Sequence, residues 1–179
     1  LLFFLSACMS PPARYEGRPP HDCIEEVRAA EYQQIEEGQS IPILDGLGHY
    51  LISLPSKLIL WNWRVEDHKF NGEAVQELAE YIQYNHLHGV KVRINQYDPD
   101  GEWHRLWAND HVHLFWRATL GLLTWAVYTI EPGRLLGGDH YNPFTNTINL
   151  YSSDPIISLH EAGHAKDDVN AREKFLSIM

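Results

Sequence analysis

The sequence predicts an α+β fold that is mostly helical, with a small mixed or antiparallel sheet. Three segments support this fold class. Apolar residues recur at helical spacing from Asn71 to His88, and Gly89 follows the last turn. Apolar and polar residues then alternate from Val90 to Tyr97, as in a strand with one solvated face. Near the end of the chain, Asp154 and Pro155 are typical of a helix start.

Length and composition limit the classes of protein that this chain can represent. A chain of 179 residues suits one domain, and its 44% hydrophobic and 12% aromatic content is too high for a disordered chain. The formal net charge is −10. Because nucleic-acid binding requires clustered Lys and Arg to displace counterions, we expect no nucleic-acid partner.

The first eight residues, LLFFLSAC, predict a partial lipoprotein signal segment. Residues Leu5 to Cys8 resemble the bacterial lipobox, in which the cysteine is lipidated and becomes the mature N-terminus. The resemblance implies a lipid on Cys8 and a place in the bacterial cell envelope, extracytoplasmic and facing the periplasm or the cell surface. The alternative is an ordinary apolar segment that ends in a chance cysteine. Cys23 is expected to be a buried, unpaired residue.

Further along the chain, residues 9–21 are predicted to be a Pro-rich spacer and residues 22–179 a single domain. We expect an amphipathic helix from Asp22 to Gly38 and two short elements between Ile41 and Trp63, where a proline interrupts the apolar run. The sequence DPDG, from Asp98 to Gly101, predicts a turn after the strand.

The most apolar segment runs from Leu114 to Ile130. It is shorter than the roughly 20 apolar residues that a transmembrane helix needs, and it contains Arg117 and Gly121. A buried helix is therefore predicted. The alternative is an interfacial or re-entrant segment in contact with lipid, because its aromatic residues suit the headgroup layer and a lipid anchor would hold the protein there.

The segment SLHEAGHAKDD contains an HExxH motif made of His160, Glu161 and His164. On a helix the two histidines share a face, so that both imidazoles can bind one Zn²⁺, with Glu161 beside them. Zinc can lower the pKa of a bound water to about 7. Glu161 would accept the proton of that water and pass it to a leaving amine. The motif therefore predicts metal-assisted amide hydrolysis of a peptide or protein substrate.

This motif resembles that of the zincin metallopeptidases, particularly the gluzincins related to thermolysin. The resemblance implies that His160 and His164 are zinc ligands and that Glu161 is the general base. It also implies that Asp168, four positions after the second histidine, hydrogen-bonds a ligand imidazole and orients the ring. Asp167 is a competing candidate, and both acids also fit a solvated helix surface.

The resemblance extends to the residues before the motif. In zincins the strand before the motif helix usually lies at the edge of a sheet and pairs with substrate, and Thr145 to Tyr151 fits either that role or that of a core strand. Zincins often stabilise the oxyanion with a Tyr or His, so His140 and Tyr141 are candidates. The run GGDHYNPFTNTINLYSSDPIISLHEAGHAKD also resembles uncharacterised bacterial lipoproteins or membrane-associated proteins.

The third zinc ligand is not found in the sequence. Gluzincins take it from a glutamate on a later helix, and we therefore expect a chain truncated at both ends, from a longer enzyme. Asp168 does not fit this role, because residues i, i+4 and i+8 spread over about 12 Å of helix axis. A fragment without the third ligand is expected to bind zinc poorly.

A second function remains open from the sequence. The protein can also be a non-catalytic, membrane-associated lipoprotein that uses the HExxH helix for packing or structural metal binding. Two HxH pairs, His86 with His88 and His111 with His113, are interpreted as surface histidines in preference to a second metal site.

Overall fold

The computed structural model describes residues 34–39, 42–70, 72–130 and 138–178. The signal-like segment with Cys8, the Pro-rich spacer and Cys23 lie outside the described residues. So does most of the helix expected from Asp22 to Gly38.

The described residues form an α+β fold that is mostly helical, as the sequence predicts. The elements in chain order are β1 Ile35–Glu37, α1 Pro42–Leu47, α2 Leu54–Leu60, α3 Gly72–Tyr84, β2 Lys91–Ile94, α4 Pro99–Ala108, α5 Leu114–Trp116, α6 Leu122–Ile130, β3 His140–Asn142, β4 Thr147–Leu150 and α7 Pro155–Ile178. One π-helical segment, Gly48–Ile52, continues α1 toward α2, and another, Arg117–Gly121, joins α5 to α6.

The four strands form one mixed sheet in the order β1-β2-β4-β3. Strands β1, β2 and β4 are parallel, and β3 pairs antiparallel with β4. The strand within Thr145 to Tyr151 is therefore internal: the expected edge position is wrong, and the core-strand alternative is confirmed. The edge strand next to β4 is β3, which precedes the turn that joins the two antiparallel strands.

One face of the sheet is apolar and packs on α3 and α7. Side chains alternate along a strand, so Val92 and Ile94 of β2 lie on the same face as Ile148 and Leu150 of β4. These side chains join a buried core that includes Leu78 of α3 and Ala162 and Ala165 of α7. Each fully buried aliphatic side chain contributes about 1.5–3 kcal/mol, so this core fixes the motif helix against the sheet.

The opposite face of the sheet is polar and is covered by α4. The guanidinium of Arg93 is buried there and donates to Glu36 (2.9 Å), Asp98 (2.7 Å) and Glu102 (3.1 Å). A strand within Val90 to Tyr97 is confirmed, from Lys91 to Ile94, but its predicted solvated face is wrong, because α4 covers that face. A charged residue in an alternating pattern can face a buried counter-charge as well as water.

Two other local predictions are wrong. Residues Ile35–Glu37 form a strand, and not the end of a helix, because they pair in parallel with β2. Residues Asp98 to Gly101 begin α4, where the Asp98 carboxylate accepts from the Gly101 amide (2.9 Å) and Pro99 occupies the first turn. The same Asp-Pro pair is typical of turns and of helix starts, so the sequence pattern alone does not separate them.

No described helix is long and apolar enough to cross a membrane. The prediction of a buried helix from Leu114 to Ile130 is wrong over most of its length, because its large apolar side chains are mostly exposed. Gly121 and Tyr128 are the buried residues of this segment. Gly121 lies where a Cβ would be 2.6 Å from Leu106 of α4, so its small size allows the two helices to pack closely.

Candidate metal centre

The motif helix α7 begins where the sequence predicts. Pro155 is its first residue, and the carboxylate of Asp154 accepts from the amide of Ile156 (2.9 Å). Ala162 is fully buried in the core, and a Cβ at Gly163 would lie 4.0 Å from the hydroxyl of Tyr81 on α3. The buried Ala162 therefore holds α7 in the core, whereas a Cβ at Gly163 would make only an ordinary contact with α3.

The two motif histidines converge. Their Nε2 atoms are 3.1 Å apart, and their rings are 4.6 Å apart and nearly perpendicular. Both side chains are half-buried. Two nitrogens that each lie 2.0–2.1 Å from a tetrahedral zinc would be about 3.3 Å apart. His160 and His164 therefore fit two of the ligands of one zinc ion.

Glu161 lies beside this pair and contacts the edge strand. Its side chain is buried, and its Oε2 accepts a hydrogen bond from the backbone amide of Tyr141 on β3 (2.9 Å). Burial and the nearby Asp139 carboxylate raise the pKa of Glu161 to about 8, and the Tyr141 amide opposes this shift. A group with a pKa in this range can both accept and release a proton near neutral pH.

Tyr141 connects β3 to the motif helix a second time. Its hydroxyl lies 2.8 Å from Oδ2 of Asp168 and 2.9 Å from Oδ1 of Asn146. Asp167 is exposed, whereas Asp168 is half-buried beside this contact. Of the two competing acids, Asp168 contacts the edge strand through Tyr141.

The second oxyanion candidate, His140, lies on the other face of the sheet. It pairs with Asn149, whose neighbours Ile148 and Leu150 face α7, and its Nε2 is 3.3 Å from Nδ2 of Asn149. Its Nδ1 is 3.2 Å from the Gly138 carbonyl oxygen. The structure therefore brings Tyr141, but not His140, to the side of the sheet that carries the motif.

Two acids near the motif were not identified from the sequence as site residues. Asp139 is half-buried and accepts from the amides of Tyr151 (2.7 Å) and Ser152 (3.0 Å) and from the Ser152 hydroxyl. Oε2 of Glu66 is buried without a hydrogen-bond partner in the described structure. In the sequence, Asp139 is recognisable only as part of a loop that begins with two glycines. No motif surrounds Glu66, because its burial depends on residues that are distant in the sequence, such as Ser152.

Within the described ranges, no group of three or more His, Cys, Asp or Glu side chains is arranged to hold a metal ion. The histidines of the two HxH pairs, His86, His88, His111 and His113, are exposed. The surface interpretation of these pairs agrees with their exposure.

No protein-family model, curated protein or solved structure matches this chain. The functional argument therefore depends on the motif and on the geometry around it.

Proposed function

We propose that this protein is a zinc-dependent metallopeptidase held at the membrane of the bacterial cell envelope. The observation that supports this most directly is the 3.1 Å separation of the His160 and His164 Nε2 atoms, with Glu161 next to them in the same turn. Both imidazoles are half-buried on a helix that packs into the core, and their ring nitrogens point at the same position. Their convergence supports a shared cation.

Each residue has a distinct task in this proposal. His160 and His164 would hold Zn²⁺, and a third protein ligand would come from outside the described residues, since catalytic zinc sites use three. Bound zinc supplies a Lewis acid and a water of lowered pKa. Glu161 takes the proton of the attacking water and delivers it to the leaving amine.

The edge strand would position the substrate. Edge strands leave backbone N–H and C=O groups that can pair with an extended peptide, and β3 is the edge strand nearest the motif. The contact between Tyr141 and Asp168 holds β3 and α7 in a fixed relation. We propose that Tyr141 and Asp168 act by this positioning.

The membrane attachment is part of the proposal. Lipidation of Cys8 would anchor the protein, and segment 114–130 would contact the lipid headgroup layer, since its exposed residues include Trp116, Phe115 and Leu123. The sequence motif and the exposure of these side chains support this arrangement.

The test uses Glu161→Gln, which keeps the shape of the side chain but removes its basicity. The protein is dialysed against zinc, its zinc content is measured by elemental analysis, and hydrolysis of fluorescein-labelled casein is followed. We expect Glu161→Gln to retain zinc and to lose at least about 100-fold in rate, the size of a lost general base. His111→Ala, at an exposed histidine outside the motif, is the matched control and should keep both properties.

Three results would separate the alternatives. Zinc binding with no hydrolysis by the parent protein would favour the structural metal site of a non-catalytic lipoprotein. Absence of zinc even after dialysis would remove both metal-based functions for this chain. Equal hydrolysis by Glu161→Gln and the parent would show that another group is the base.

A further inference from the structure

The helical segment between residues 42 and 60 has inverted polarity. Its inner stripe, defined as Asp45, His49, Ser53 and Lys57, repeats every four residues and faces the protein body. The Lys57 ammonium is 1% exposed; it donates to the Ser53 hydroxyl (2.5 Å) and is 2.7 Å from His49 Nδ1. Asp45 is 5% exposed and lies 4.0 Å from Nδ1 of His68. The polar side of this helix is therefore the buried side.

The opposite side of the same segment is apolar and faces outward. Its outer stripe consists of Ile43, Leu47, Leu51, Leu54 and Leu58, all exposed. Three exposed aromatic residues, Tyr50, Trp61 and Trp63, lie beside and beyond it. Globular helices normally show the reverse arrangement, with the apolar stripe toward the core. An exposed apolar surface of this extent marks a binding surface.

Segment 114–130 repeats the inversion. Its inward positions are Arg117, whose guanidinium donates to the Trp107 carbonyl (2.6 Å), and Tyr128, whose hydroxyl lies 3.4 Å from the Asp98 amide. Its large aliphatic side chains, including Leu123 and Val127, are exposed. In both helical segments the large aliphatic side chains are mostly exposed, while Asp45 and Lys57 of the first and Tyr128 of the second are buried.

We infer that the surface formed by the outer stripe with Tyr50, Trp61 and Trp63 is immersed in the interfacial layer of a lipid bilayer. Helices in contact with lipid need apolar side chains outside and polar side chains turned toward the protein, which is how the outer and inner stripes are arranged here. Trp and Tyr prefer the headgroup level, and aliphatic side chains lie below it. The inference depends neither on zinc nor on a lipid at Cys8.

The distribution of charge favours lipid over a protein partner. Between Ile43 and Trp63 the acidic and basic residues are Asp45 and Lys57, and both are buried. Protein interfaces have a polar rim around an apolar centre. Along this segment, the first exposed charged residue is Arg64, which directly follows Trp63. A protein with a net charge of −10 that leaves this area free of exposed charge suits contact with hydrocarbon and headgroups.

The test removes the anchor and asks whether the surface alone binds lipid. The Cys8→Ser chain is mixed with phosphatidylcholine vesicles, with or without phosphatidylglycerol, and bound protein is measured by flotation. In the test variant, Leu51→Gln and Trp61→Asn replace side chains of this surface that are 66% and 87% exposed. Asn is chosen because Trp61 has φ of 51°, a left-handed conformation that Asn tolerates. We expect the partition coefficient to fall at least about tenfold.

The matched control is Ile156→Gln in the same background. Ile156 is 77% exposed, but it lies at the start of α7, outside both inverted segments. It should leave vesicle binding unchanged. The inference is overturned if the Cys8→Ser chain floats with neither vesicle, or if the double variant floats as the parent does. It is also overturned if the double variant converts a dimer to a monomer in light scattering while vesicle binding stays the same, since a second copy would then be the occupant.

Discussion

At the scale of single residues, the two acids Glu66 and Asp139 have raised pKa values. Burial and the Asp139 carboxylate raise the pKa of Glu66 to about 7, while Lys57 and a hydrogen bond from Ser53 oppose this shift. Desolvation of its carboxylate raises the pKa of Asp139 as well. These acids therefore bind protons in the folded state at pH values where they are ionised in the unfolded chain.

Glu66→Gln is expected to change how stability depends on pH. The pKa of Glu66 is 4.5 in the unfolded chain and about 7 in the folded protein. Ionisation of this carboxyl therefore lowers the free energy of unfolding as the pH rises above 4.5, and the full loss is reached above about pH 7. The variant lacks this ionisation. It should match the parent at pH 5 and exceed its free energy of unfolding by roughly 1–3 kcal/mol at pH 8, measured by urea denaturation.

The control for this prediction is Glu77→Gln, on the exposed side of α3. It should shift stability by less than about 0.5 kcal/mol at either pH. An equal loss of stability in Glu66→Gln at both pH values would mean that the fold requires an ionised Glu66 beside Lys57, contrary to the prediction.

At the scale of elements, the parallel contact of β1 and β2 depends on a glycine. Gly38 follows β1, and its amide donates to the Ile94 carbonyl (2.7 Å). A Cβ at this position would overlap the carbonyl oxygen of Asn95 and lie 2.9 Å from its carbon. Both partners are backbone, so neither can move without disturbing the sheet.

Gly38→Ala should therefore lower the free energy of unfolding by about 1–3 kcal/mol, as overpacking does elsewhere. Gly46→Ala is the matched variant, because Gly46 lies within α1 with no atom in the way of a Cβ. Removing a helical glycine should stabilise the protein by about 0.5–1 kcal/mol. Thermal and urea unfolding measure both, and effects of the same sign at the two positions would contradict the structure.

Elements with a clear local pattern were predictable from the sequence. The helix α3 and the start of α7 follow from apolar spacing and from the Asp154-Pro155 pair, and the HExxH spacing predicts that His160 and His164 share a face. A local sequence pattern does not predict an element whose conformation depends on contacts with residues far away in the sequence. Strand β1 exists because β2 pairs with it, and nothing in the sequence near Ile35 specifies that partner.

The polarity of segment 42–60 shows a further limit. The sequence predicts only two short elements here, although Asp45, His49, Ser53 and Lys57 recur every four residues. Spacing does not say which side faces the protein. That choice depends on buried partners such as Glu66, whose backbone carbonyl lies 3.0 Å from His49 Nδ1. The contact of Glu161 with Tyr141 is hidden from the sequence for the same reason.

At the scale of the whole molecule, the sheet separates two environments. One face carries the apolar core under α3 and α7, and the other carries the ion pairs of Arg93 under α4. The motif lies on the apolar side, next to the edge of the sheet. Because α7 contributes Ala162 and Ala165 to the core, a ligand that binds the histidines of this helix is expected to stabilise the whole fold.

Zinc should therefore raise the thermal stability of the whole domain. A ligand that binds only the folded state at 100 times its Kd stabilises by about 2.7 kcal/mol, which corresponds to a Tm increase of roughly 5–10 °C for a domain of this size. Differential scanning calorimetry with and without zinc measures this. Glu161→Gln should keep the increase. The double variant His160→Ala and His164→Ala should lose it, and an unchanged increase there would assign the metal to the exposed histidines.

The hydrogen bond from the Tyr141 amide to Glu161 has a consequence for the order of events in the proposed reaction. A peptide that extends the sheet beyond β3 competes with the carboxyl for this same N–H. Docking of the peptide would then detach the carboxyl from the strand and turn it toward the histidines. Substrate binding and activation of the proposed base would then be one step. Glu161 would not deprotonate water until an extended peptide pairs with β3.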